Sequence, residues 1–207
     1  MKRHFVIIGI ASALLVPDFS YGAANTDPEW PCIQRKVPQL SIAQVWNGAD
    51  LPASAKDWNK DAEIERLVSE IAARRNPIEN AQKQIEEYAM SLPEGQTNEK
   101  LAQIFQGLFD MLNVEREQVI SGISRYANKQ RDLAADLRRE ASEVDKLRRT
   151  SDVDQSEFAK RIERLKWETR IFEERVQSLT FVCEVPTIIE QRLYSLSKFI
   201  SQLMKKS

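Results

Sequence analysis

The chain has 207 residues, with 30 Lys and Arg against 31 Asp and Glu, 42% hydrophobic residues, six glycines, two cysteines and one histidine. That is apolar material enough for a core, too balanced a charge for a protein built to grip nucleic acid, and too little glycine for phosphate-cradling loops. The composition therefore predicts a folded protein with no nucleic-acid partner.

Residues 1–24 read as a secretory signal peptide. Lys2, Arg3 and His4 form a basic start, Phe5 to Val16 an apolar run of 12 residues, and Ser20, Gly22 and Ala24 the small residues for cleavage after Gly22 or Ala24. The run is short against the roughly 30 Å of a bilayer core, so no transmembrane span is expected in the mature chain. The nearest cysteine is Cys32, too distant for a lipoprotein site. A periplasmic or secreted protein of a bacterial envelope is predicted. Cleavage would remove Lys2, Arg3, Asp18 and the single histidine, leaving 28 basic and 30 acidic residues.

Residues 25–56 read as an extended arm packed on the body. Pro28, Pro31, Pro38 and Pro52 hold it open, and Trp30, Ile33, Val37, Leu40, Val45 and Trp46 are too apolar for a free tail. A short turn of helix is predicted at 41–46 with Ser41 as its N-cap. A helical domain follows over 57–207. Ile64, Leu67, Val68 and Ile71 mark a first amphipathic helix that ends at Asn76-Pro77. Ile78, Ala81, Ile85, Tyr88 and Leu92 mark a second, broken by Pro93-Glu94-Gly95, with Thr97 placed to cap the next.

The strongest pattern is a heptad stripe from Ala102 through Phe105, Phe109, Leu112, Arg116, Val119, Ile123, Tyr126, Gln130, Leu133, Leu137, Glu140 and Val144 to Leu147. After a polar break at 150–154 it resumes at Phe158, Ile162, Leu165, Thr169, Phe172, Val176, Leu179 and Cys183. Two such helices joined by a short turn predict an antiparallel coiled-coil hairpin over about 98–184. Val144 would then face Phe158, and Val119 would face Cys183. Pro186 is expected to kink or restart the helix before a final stripe of Ile189, Leu193, Leu196, Ile200 and Leu203. The fold class is all-α: a small helical bundle with a long hairpin, preceded by the signal peptide and the Pro/Trp-containing arm.

In an exported protein, Cys32 and Cys183 pair by default, which would fasten the arm to the bundle. Catalysis is not expected, because no imidazole survives cleavage and no nucleotide or metal motif is present. No cofactor is predicted. Asp152, Asp154, Ser156 and Glu163 imitate the spacing of a calcium loop, but Glu157 stands where such a loop needs glycine, so they read as a helix cap. The basic pairs along 131–170 alternate with acids; Glu157–Arg161 and Asp145–Arg149 have the spacing of ion pairs on one helix. Trp167 falls just off the seam, where it would cover the seam's edge or anchor a partner; Arg148 and Arg149 at the turn are further partner-binding candidates.

These features predict a non-catalytic periplasmic scaffold that docks an envelope protein, or a second copy, through its hairpin. The alternative is a holdase-type chaperone for exported proteins, whose general shape this layout resembles without sharing a motif.

Overall fold

A computed structural model describes Asp27, residues 30–150 and residues 153–205. The signal-peptide reading and Asp152 lie outside these residues. The described chain is all-helical: α1 (Ile42–Val45), a 3-10 segment (Ala53–Lys60), α2 (Ala62–Ala72), α3 (Ile78–Ser91), α4 (Thr97–Arg148) and α5 (Gln155–Met204).

Each boundary has a local cause. Asp61 caps α2, its Oδ1 accepting from the backbone N–H of Glu63 at 3.1 Å and of Ile64 at 3.3 Å. Its other oxygen takes a bond from Lys100 Nζ at 2.7 Å, which ties the cap to the first turn of α4. Pro77 is the N-cap of α3. The turn before α4 closes with Gln96 N–H on Pro93 C=O at 3.3 Å, and Gly95 takes φ +84°, a conformation that side chains resist. Gln96 caps α4 by position, so Thr97 is its first helical residue rather than its cap.

The core forms where α2, α3 and the 3-10 segment surround the first turns of α4 and the last turns of α5. Leu101 through Phe109 are all buried, so this stretch of α4 is enclosed on every side. Phe105 stacks on Trp46 of the arm with ring centroids 4.1 Å apart. Ile64, Val68, Ile71, Ile85, Leu193, Leu196 and Ile200 complete the cluster.

The helix does not restart at Pro186. α5 runs unbroken from Gln155 to Met204. The proline ring removes the N–H that Val182 C=O would accept. Pro186 is buried within the fold, and Gln34 Nε2 of the arm donates to the C=O of Cys183, the next carbonyl along.

The two glycines inside α4 differ. A Cβ on Gly107 would lie 2.9 Å from both the Trp58 ring and Val68 Cγ2, so glycine is there for a close approach. At Gly122 the nearest atom is Arg125 Nη2 at 3.9 Å. Gly122→Ala is expected to stabilise the chain by about 0.5–1 kcal/mol through helix propensity. Gly107→Ala is expected to destabilise it by about 1–2 kcal/mol despite the same propensity gain. Thermal melts of the two variants check this contrast of sign.

Hydrogen bonding to Lys100 holds the Asp61 carboxyl below its ordinary 3.8, helped by the two backbone N–H groups. A depressed carboxyl contributes stability that is whole above its unfolded pKa and is lost as pH falls through the folded one. Asp61→Asn is therefore expected to shrink the loss of stability below pH 4, measured by urea unfolding from pH 2 to 7.

α4 is about 78 Å long at 1.5 Å per residue, and α5 nearly the same. They lie side by side and run in opposite directions: Arg116 meets Glu190 at 3.4 Å near the core, and Glu140 meets Arg161 far from it. The apolar clusters reach only Ile123 on α4 and Leu179 on α5. Beyond those levels the burial comes from the two helices covering each other.

Candidate functional site

The region that leaves the core begins where the arm crosses α4 and α5. Cys32 and Cys183 are joined there, Sγ to Sγ 2.04 Å and Cα to Cα 5.6 Å, in a cluster with Trp30, Ile120 and Ile123. The arm is held mainly by its backbone. Asn113 accepts from Leu40 N–H at 2.9 Å and donates to Leu40 C=O at 3.3 Å; Arg116 donates to Val37 C=O. Trp30, Leu40 and Val45 are its buried anchors. An arm read through its main chain has no periodic signature, so this docking surface was invisible in the pattern. Arg116 interrupts the apolar stripe, and that interruption was the available clue.

Above the arm, α4 and α5 are covered unequally. α4 buries Ala127, Gln130, Leu137 and Val144, whereas no residue of α5 before Cys183 is buried. Phe158, Ile162, Leu165 and Phe172 face α4 but stay half-exposed. Gln130 is buried with its Oε1 unpaired, which costs about 1–3 kcal/mol of desolvation. Arg161 crosses to Glu140, its Nη2 at 3.0 Å. That contact drives the Glu140 carboxyl below its ordinary 4.5 and raises the guanidinium further.

This cross-helix pair displaces an expected one: Arg161 takes Glu140, and Glu157 binds Lys160 at 2.9 Å instead. Likewise Asp145 takes Arg148, at 3.7 Å, rather than Arg149. In both cases the acid takes the base three residues on, which is as close on a helix as the one four residues on.

Trp167 does not cover the seam. It is 64% exposed and lies on the side of α5 away from α4. Counting turns explains it: Leu165 and Thr169 are half-buried toward α4, and a residue between them points the other way. Arg148 and Arg149 are exposed at the end of α4, where Arg149 closes the helix with its N–H on Lys146 C=O. About 13 residues, or 20 Å of helix, separate the start of α5 from Trp167, so the three candidates do not converge. A recess of about 680 Å³ between the helices is lined by Asp136, Arg139, Glu140, Lys146, Arg164 and Glu168, charges of both signs rather than a convergent acid pair.

Asp154 caps α5, its Oδ1 accepting from Ser156 N–H at 2.8 Å and Glu157 N–H at 3.4 Å, and these bonds lower its pKa. Among the described residues no group of three or more His, Cys, Asp or Glu could hold a metal ion. Among them, too, no helix is long and apolar enough to cross a membrane.

Further apolar side chains stand in solvent: Ile33 fully, Phe181 at 77%, with Val182 and Ile188 beside it on α5. Pro31, Ile33, Val176 and Leu179 line a groove of about 330 Å³ beside the disulfide. No family model, curated protein or solved structure matches the chain.

Proposed function

We propose that the chain is a non-catalytic protein of the bacterial envelope, exported to the periplasm, whose coiled-coil hairpin docks a protein partner. The observation that carries this reading is the uncovered limb of α5: a helix with no buried residue over its first 28 positions and an exposed Trp167 near their middle. An isolated helical limb of that kind gains its stability from packing, and its free side is unpacked. A cysteine pair at disulfide distance and the lack of a spanning helix among the described residues are compatible with an extracytoplasmic setting.

Affinity capture from envelope extracts tests it. The immobilised chain is expected to retain a protein that Trp167→Ala releases and that Lys198→Ala, an exposed change at the base, retains. Retention of nothing, or retention indifferent to Trp167, overturns the docking role.

A holdase-type chaperone is the second reading, favoured by the apolar groove beside Ile33 and by the exposed Phe181 elsewhere on α5. Suppression of aggregation of a denatured outer-membrane protein would support it; a docking scaffold has no such effect.

A further inference from the structure

α5 carries a second line of positions spaced alternately four and three apart, offset by two residues from the line that faces α4. Trp167, Ile171, Phe181, Val185 and Ile188 lie on it, with Glu174 and Ser178 between them. Five of these seven positions are apolar, over about 32 Å of helix. Trp167, Phe181 and Ile188 are exposed, Ile171 is half-buried, and Val185 packs on the edge of the core. Glu174 is the line's one charge, and Arg170 answers it at 3.0 Å. A helix with two heptad seams is built to pack against two neighbouring helices.

The next position on this line is Arg192, and there the seam is covered. Arg192 binds the C=O groups of Ile71 and Asn76, so the α2–α3 turn lies on the outer side of α5 at that level. α2 starts at the base, where Asp61 binds Lys100, and ends at this turn. α3 then returns toward the base beside the last turns of α5. The outer seam is thus one interface in two parts: α3 fills the lower part, and the upper part is bare.

We propose that the upper part binds a single amphipathic helix of a protein partner, laid in line with α3 and ending with its C-terminus at the α2–α3 turn. The proposal rests on the docking reading and names the chemistry of the partner. Continuity with the α3 interface sets the form of the occupant, because a heptad seam matches another helix of the same spacing. Charge sets its direction. Pro77 begins α3 without a side-chain cap, so the positive end of that helix faces up the limb. In the same turn Arg74 is paired with Glu115 at 3.1 Å, and Arg75 is exposed with no ion pair among the described residues. Glu79 in the first turn balances one arginine and leaves the helix end unanswered. A helix C-terminus carrying acids complements that end.

A second copy fits neither way. Laid parallel, its α5 runs on past Arg192 and has no end at the turn. Laid antiparallel, it brings the positive N-terminal end of its α5 there, together with Arg148 and Arg149. A seam of this length and about 10 Å wide buries on the order of 600 Å² in all, below the range of stable complexes, so a dissociation constant of about 10–100 µM is expected.

Fluorescence anisotropy with two labelled 21-residue peptides, titrated with the purified chain with its disulfide intact, tests the proposal. Both peptides carry leucine at heptad seam positions among alanine, glutamine and lysine, with blocked ends; one has two glutamates in its last turn, the other in its first. The first peptide is expected to bind at least threefold more tightly than the second, and Arg75→Glu should remove that preference. Trp167→Ala and Phe181→Ala should each weaken binding at least fivefold, whereas Val114→Ala, an exposed apolar change on α4, should stay within twofold. All these positions are exposed, and circular dichroism verifies that the variants stay folded. No binding at 500 µM, binding indifferent to Trp167 and Phe181, or equal binding of the two peptides overturns the proposal. Dimerisation of the chain that Trp167→Ala abolishes assigns the face to a second copy and overturns it as well. A chain that captures an envelope protein through Trp167 yet ignores both peptides refutes the helical occupant alone; one that binds the first peptide as expected and captures nothing refutes the docking reading alone.

Discussion

Serine at both Cys32 and Cys183 is expected to lower the stability of the chain by about 3–5 kcal/mol. The two residues are 151 positions apart, so the bond closes a loop spanning most of the described chain. Loop-closure entropy for such a length is about 5 kcal/mol, and measured losses on removing native disulfides are about 2–5 kcal/mol. The lower figure is favoured by the bonds that remain, since Asn113 and Arg116 still hold Leu40 and Val37. The loss should also be local before it is global. Residues 30–36 depend on the bond most directly, so limited trypsin digestion is expected to cut the double variant after Arg35 and Lys36 well before the parent. Urea unfolding of the two proteins measures the difference. Equal midpoints would show that the arm is held by its hydrogen bonds and buried anchors alone.

Arg192→Met is expected to cost about 3 kcal/mol. Arg192 is buried against the α2–α3 turn, and its hydrogen-bond partners among the described residues are backbone carbonyls. Its Nε and Nη2 donate to Ile71 C=O at 2.9 and 2.5 Å, and Nη1 donates to Asn76 C=O at 2.8 Å. These carbonyls lie at and just beyond the end of α2, where the backbone has run out of its own donors and the helix dipole favours a cation. Burial lowers the guanidinium pKa, opposed by the charge of Glu115, and an arginine still keeps its charge in ordinary buffers. Methionine fills the space and leaves both carbonyls unpaired, and bonds to charged donors are worth about 1.5–3 kcal/mol each. Arg192→Lys is expected to recover less than half of the loss, because an ammonium cannot fork to two carbonyls. Denaturation midpoints of the two variants test this. Equal stability of lysine and methionine would mean that the charge contributes nothing.

The turn at Pro93–Gln96 and the helix ends beside Pro77 and Asp154 were legible because proline, glycine and capping residues act on their immediate neighbours. The stripe from Ala102 to Leu147 was legible because a helical period needs no knowledge of what lies opposite. At Pro186 the restart, one of the two outcomes expected, does not occur, because the proline is buried in packing that includes the arm, some 150 positions away in the chain. Of the two alternatives open for Trp167, its exposure leaves the solvent-facing one, and helical spacing agrees, since Trp167 lies two residues from both Leu165 and Thr169.

The sequence was sufficient for the all-helical class, the approximate helix limits and the expectation of a bond between the cysteines, since each follows from residue type and short-range spacing. It was insufficient for the capture of the arm by Asn113 and Arg116, for Arg192 at the end of α2, and for the bare outer side of α5. Those depend on which side chains meet across long stretches of chain, and contact between distant residues is set by packing geometry that no short-range pattern encodes.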